Sequence, residues 1–226
     1  MADILETIEV REHNGPWTRG PYPMEYPGRA FQLGIHDICN PTYPIVEGPE
    51  VPFGEDVHPF AIVGHVKAPT RCEPEELQQI ATDTMAKSTA YMVSRVLWYG
   101  TDAVDDFHEY LTHPDVATVP REANHVATIA AVLAKAYDNT PSIVPLLHLG
   151  YEVAVSMGIA LRNIGVPFVV APGYPGNAIA VTEDVAVNLT QIESTNLVQT
   201  DVNRRQIELT RFASLEFDYF KAVRAV

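Results

Sequence analysis

From residue 73 to 99 apolar side chains recur at three- and four-residue steps, through Leu77, Ile80, Ala81, Met85, Tyr91, Met92, Val96 and Trp98, with Arg95 among them. Lys87 and Ser88 interrupt the stripe. The spacing predicts one long amphipathic helix. Its ends are marked by Pro74 in the first turn, by Glu75 and Glu76 at the positive end of the helix dipole, and by Gly100 after the last turn. At 1.5 Å per residue such a helix is roughly 40 Å long, more than a small globule of ordinary shape covers. It reads as a spine.

Before it, Phe60 to Val66 reads as a short strand. After it, residues 119–135 predict an alanine-rich helix, 143–147 a buried strand, and 151–162 a third helix ending at Asn163 and Gly165. A strand over 166–171 and a tight loop, Gly173-Tyr174-Pro175-Gly176-Asn177, complete an α/β lobe. From Ile179 onward the chain is mostly strand-like. Ile207, Leu209, Phe212, Leu215, Phe217, Tyr219 and Val223 partly alternate with polar residues, as in a long terminal strand. No internal repeat interrupts this order.

The first 60 residues are different. Pro16, Pro21, Pro23, Pro27, Pro41, Pro44, Pro49, Pro52 and Pro59 fall there, together with Trp17, Tyr22, Tyr26, Phe31, Tyr43 and Phe53. Proline lacks a backbone donor and fixes φ, so this segment predicts an extended arm that finds its hydrogen-bond partners elsewhere. An arm so aromatic is costly to leave in water, and a neighbour's surface would cover it.

Composition narrows the function. Lys and Arg number 15 against 29 Asp and Glu, for a net charge of -14 over 226 residues. No stretch gathers the basic residues that a protein reading nucleic acid needs. Hydrophobic residues at 46% and charged residues at 19% suit a globular protein with a buried core. MADILETIEVREHNG carries no basic region followed by an apolar run, so no secretory signal is expected. The longest apolar stretch, 143–149, contains Pro145 and His148 and is far short of the ~20 residues of a membrane helix. Cys39 and Cys72 form no CxxC pair, which suits a reducing cytoplasm.

Candidate chemistry is sparse. Asp105, Asp106, His108, Glu109 and His113 cluster, yet His108 and His113 are spaced to point about 140° apart on a helix, unlike a zinc pair. Pro114 would end any helix there, so a solvated connector is expected and no metal site. His36, His58, His65, His125 and His148 are scattered singly. The chain has no G-x-S-x-G elbow, and the loop at 173–177 lacks the Lys-Ser/Thr of a phosphate loop. Asn188-Leu189-Thr190 matches a glycosylation acceptor by chance. Arg204 and Arg205 read as a solvated turn before the last strand, or as ion-pair partners across a subunit contact. No catalytic residue, cofactor or metal is expected, and a structural role is.

The order of arm, strand, spine helix, α/β lobe and returning strand resembles the major capsid protein of tailed bacteriophages, the Hong Kong 97-like fold. His58-Pro59-Phe60-Ala61-Ile62 before a long helix ending Val96-Leu97-Trp98-Tyr99-Gly100 is similar to capsid proteins of actinobacterial phages. So are Val166-Pro167-Phe168-Val169-Val170-Ala171-Pro172-Gly173-Tyr174, the strand from Val181 to Val187, and the segment from Asn203-Arg204-Arg205 to Ala222-Val223-Arg224.

The resemblance implies an α+β fold with an N-terminal arm (1–30), an extended-loop region (31–57), a peripheral domain (58–119 and 200–226) on a spine helix at 73–99, and an axial domain (120–199). It implies a non-enzymatic subunit that forms hexamers and pentamers of an icosahedral head around double-stranded DNA. The protein would be made in the bacterial host cytoplasm and reside in the virion, away from membranes. Trp17, Tyr22, Tyr26, Phe31, Arg204 and Arg205 are the expected assembly contacts. A separate scaffolding protein and a portal are expected partners, with a cement protein as an optional one. Lys67 is the first lysine, so covalent cross-linking from a loop lysine is not expected. The alternatives are an encapsulin-type compartment shell and, less in keeping with the pattern, a small α/β metal-dependent hydrolase using His108, His113 and Asp106.

Overall fold

The computed structural model describes residues 4–13, 60–69, 74–101, 107–199 and 204–226. Trp17, Tyr22, Tyr26, Phe31, the 31–57 region, both cysteines, Asp105 and Asp106 lie outside them.

In chain order the elements are α1 (Ile4–Thr7), β1 (Glu9–His13), β2 (Phe60–Pro69), α2 (Pro74–Tyr99), β3 (Ala117–Val119), α3 (His125–Asn139), β4 (Leu146–Leu149), α4 (Tyr151–Met157), α5 (Ala160–Asn163), β5 (Phe168–Val170), β6 (Ile179–Thr182), β7 (Ala186–Thr190), β8 (Glu193–Gln199), β9 (Arg204–Glu216) and β10 (Val223–Ala225), with a 3-10 turn at Tyr219–Lys221. The fold is α+β and is built on two sheets.

The first sheet is organised by β9. One edge of β9 pairs antiparallel with the whole of β2, from Arg204 to Ala213, and the other pairs with β8 and then β7, to which β1 adds in parallel. Alternation along β9 sends Ile207, Leu209, Ala213 and Leu215 into the core and turns Phe212 to the opposite face. Ile4 and Ile8 join that core, so residues 4–13 lie on this subunit's own fold.

The helix α2 packs on the β2 and β9 strands. Ala81, Met85, Thr89, Val93, Leu97 and Trp98 are buried, and Met85 reaches the space beside Gly64. The Thr89 hydroxyl donates to the Met85 carbonyl at 2.9 Å, which satisfies it inside the core. Ile80, Tyr91 and Arg95, expected on the apolar stripe, are exposed. Tyr91 lies two residues past Thr89, about 200° further round the helix, and so faces away from the sheet.

The second sheet has the order β3-β10-β6-β4-β5. It recruits β3 and β10 from outside the 120–199 segment, with β10 inserted between β3 and β6. Ile129 and Val132 of α3 and Val153 and Met157 of α4 cover Leu147, Leu149, Ile179 and Val181. The helix expected from residue 119 begins instead at His125, because residues 117–119 are drawn into the sheet by β10 and Asn124 caps the helix. Its Oδ1 accepts from the Ala127 amide at 2.9 Å. The helix expected over 151–162 is interrupted at Gly158, whose φ of 49° is left-handed, and resumes at Ala160.

Candidate assembly surface

The loop at residues 171–177 joins the spine to the second sheet. On the spine side the Gly173 amide donates to the Ser94 Oγ at 3.0 Å, and that hydroxyl donates to the Tyr91 carbonyl at 3.0 Å. A Cβ at 173 would stand 2.4 Å from the Arg95 nitrogen and 2.6 Å from the Tyr91 oxygen, so glycine is required by close approach. The Tyr174 ring lies against Trp98, with centroids 5.2 Å apart.

On the sheet side a chain of buried hydrogen bonds begins at the Tyr174 hydroxyl, 2.8 Å from His148 Nδ1. His148 Nε2 is 2.8 Å from Thr182 Oγ1, and Thr182 donates to the Glu183 carbonyl at 2.9 Å. Because the Thr182 proton is committed to Glu183, Thr182 accepts from His148 Nε2–H. Nδ1 then accepts from Tyr174. A neutral imidazole satisfies every group in the chain. Burial favours that form, holding His148 down at about 3 and raising the Tyr174 phenol well above its ordinary value.

The same loop also holds α4. The Gly176 carbonyl accepts from the Glu152 amide at 2.9 Å, and a Cβ at Gly150 would stand 2.1 Å from the Pro175 oxygen. His148 is fully buried with both nitrogens engaged. It therefore ties the 171–177 loop to the second sheet.

The outward side of α4 is built differently. Val153, Ala154 and Met157 are buried, whereas Tyr151 and Val155 point to solvent, Val155 being 73% exposed. Ile159, just beyond the helix, is 79% exposed, and Val144, before β4, is 67% exposed. Single exposed apolar residues are ordinary, but several on one short segment mark an interaction surface. The sequence carried the signal in two apolar rows on one helix, 153, 154, 157 and 151, 155, of which one sheet can bury only one.

His108 and His113 are brought together, which corrects the expected divergence. His108 Nδ1 is 3.2 Å from His113 Nε2, with the rings edge to face. The segment is a turn and not a helix: the His113 amide donates to the Tyr110 carbonyl, and the Leu111 and Thr112 amides bond to the Leu97 and Trp98 carbonyls at the end of the spine. Nor is it a solvated connector, since Leu111 and Glu109 are buried and Tyr219 packs 4.9 Å from the His113 ring. Among the described residues no group of three His, Cys, Asp or Glu side chains is placed to hold a metal ion.

Arg204 and Arg205 are the first residues of β9, in register with Pro69 and Ala68 on one side and Gln199 and Val198 on the other. They begin a strand, where a turn was expected, because both flanking strands extend to the same point. The remaining expected contacts, Trp17, Tyr22, Tyr26 and Phe31, fall outside the described residues. Among the described residues no helix is long and apolar enough to cross a membrane.

No protein-family model and no curated protein matches the chain. Solved structures do. The capsid of an empty GTA particle superposes with a TM-score of 0.61 at 11% identity, covering 99% of this chain and 89% of that one. A virus-like particle from Pyrococcus furiosus gives 0.61 at 9% identity, covering 100% and 92%. Mycobacterium phage Bobi gives 0.58 at 13% identity, covering 100% and 91%. At such identities the likeness shows the fold: this chain has the architecture of capsid subunits, the Hong Kong 97-like fold expected from its element order.

Proposed function

We propose that this chain is the major shell subunit of an icosahedral bacteriophage head, assembling as hexamers and pentamers around double-stranded DNA. The observation that carries the reading is the coverage. The fold of a GTA particle capsid matches over 99% of this chain and 89% of that one. The encapsulin-type alternative is not favoured beside likenesses to phage and GTA particles. A hydrolase built on His108 and His113 finds no support in a pair that bonds to itself.

In this reading the first sheet with α2 is the peripheral domain and the second sheet is the axial domain. The outward side of α4, with Tyr151, Val155 and Ile159, faces the neighbouring copy. Residues 4–13 of the expected 1–30 arm dock on their own sheet, and residues 14–30 lie outside the described residues. The net charge of -14 lets the shell enclose DNA without adhering to it. A scaffolding protein, a portal and, as an optional addition, a cement protein complete the expected partners. Light scattering with negative-stain microscopy, on protein expressed with and without its neighbouring genes, tests the proposal. Megadalton shells or capsomers are the expected product; a 24.9 kDa monomer under both conditions would refute it.

A further inference from the structure

One row of α2 stays open along the half of the helix that is otherwise most deeply buried. Lys87, Tyr91, Arg95 and Tyr99 follow at four-residue steps and are all exposed, Tyr91 at 41% and Tyr99 at 50%. The Tyr91, Arg95 and Tyr99 side chains lie against one another. The Arg95 guanidinium donates to the Tyr91 hydroxyl at 3.3 Å and sits over the Tyr99 ring, 5.7 Å from its centroid. Asp83, one turn before Lys87, is engaged by the Gln79 amide at 2.8 Å. Among the described residues neither Lys87 nor Arg95 makes an ion pair.

The row is cationic and aromatic on a chain of net charge -14. A nucleic-acid backbone fits it poorly, because two cations release only about two counterions while the rest of the surface repels phosphate. An acidic protein segment fits it well. Tyr and Arg are enriched at interface centres, where a rigid ring and a planar fork bury area at low entropic cost. Any copy of this chain offers the excess carboxylates that complement it. We propose that the row formed by Lys87, Tyr91, Arg95 and Tyr99 docks an acidic segment of a second copy of this chain. The inference rests on the reading of the chain as a self-assembling shell subunit and names one of its contacts.

The test compares the K87E/R95E variant with R121E/K135E, which carries the same net charge but alters exposed positions elsewhere. Light scattering follows assembled mass against protein concentration, and thermal melting follows the unassembled subunit. K87E/R95E should raise the concentration needed for assembly at least about tenfold, with a melting temperature no lower than that of R95A, which loses the same contacts to Tyr91 and Tyr99, while R121E/K135E stays near wild type. Equal assembly of the two variants overturns the inference and leaves the shell reading intact. A melting temperature of K87E/R95E well below that of R95A also overturns it, because the row's partner would then belong to the same chain. Loss of assembly seen only with a co-expressed scaffolding protein assigns the row to that protein instead. Wild-type protein that forms no particle refutes the shell reading and this inference together.

Discussion

The loop at residues 171–177 and the outward side of α4 adjoin the same short helix and are built in opposite ways. The loop brings backbone within van der Waals limits at Gly150 and Gly173 and satisfies its polar groups internally through Tyr174, His148 and Thr182. The outward side of α4 and the residue after it leave Tyr151, Val155 and Ile159 largely in water, with Tyr151 bonded only through its hydroxyl to Glu152. One region completes a single subunit. The other leaves apolar area for a contact the single subunit does not make. Substitutions should therefore separate: those in the loop act on folding, those on the helix face act on association.

The largest effect is expected at Gly150. A valine there places atoms inside the Pro175 carbonyl, and neither strand β4 nor the loop can move without opening the core. Gly150→Val should leave little soluble, cooperatively melting protein, as measured by thermal unfolding.

Next comes His148. Replacing it with leucine strands the Tyr174 hydroxyl and disturbs Thr182, and should cost about 2–4 kcal/mol at neutral pH in denaturant titration. The wild type also has a distinct pH profile. The folded value is about 3 and the unfolded value 6.5, so between them the unfolded chain binds a proton that the folded chain refuses. The stability contributed by neutral His148 is fully present above pH 6.5 and falls as pH drops, by up to about 1.4 kcal/mol per unit. His148→Leu should flatten that slope. An equally steep profile in the variant would show that other groups set it.

Ser94→Ala removes the acceptor for the Gly173 amide and should destabilise the subunit by about 1–2 kcal/mol, read from the shift in denaturant midpoint. The smallest effect on folding belongs to the α4 face. Val155→Asp with Ile159→Asp should change subunit stability by less than about 0.5 kcal/mol and yet prevent assembly. A large loss of stability there would mean that the face is covered by the same chain.

Much of this architecture was legible in the sequence. The bounds of α2 follow from Pro74, the first-turn glutamates and Gly100, and the existence of β2 and of a long strand through Ile207, Leu209 and Leu215 follows from their apolar residues, because these signals are local; that this strand starts at Arg204 and stops at Glu216, before a turn and β10, does not. What depended on distant partners was not legible. Residues 117–119 look like the start of a helix until β10 arrives beside them. His108 and His113 diverge on a helical template and meet on a turn held by the end of the spine. The 171–177 loop reads as an ordinary turn, since nothing in Gly173 or Tyr174 reveals that Ser94 and His148 lie across from them. Tyr91 and Arg95 satisfied a three- and four-residue spacing, but that spacing alone does not say which face of α2 meets the sheet. The α4 face was visible as a second apolar row and required the structure to show which row the core had taken.

The most direct measurement is the solution mass of wild-type protein beside the V155D/I159D variant, at equal concentration and with the neighbouring genes expressed. Megadalton particles for the wild type, and a 24.9 kDa subunit with an unchanged melting temperature for the variant, are the expected result. A wild type that remains at 24.9 kDa, or a variant that builds the same particles, would contradict the division between a self-sufficient core and an unsatisfied assembly face.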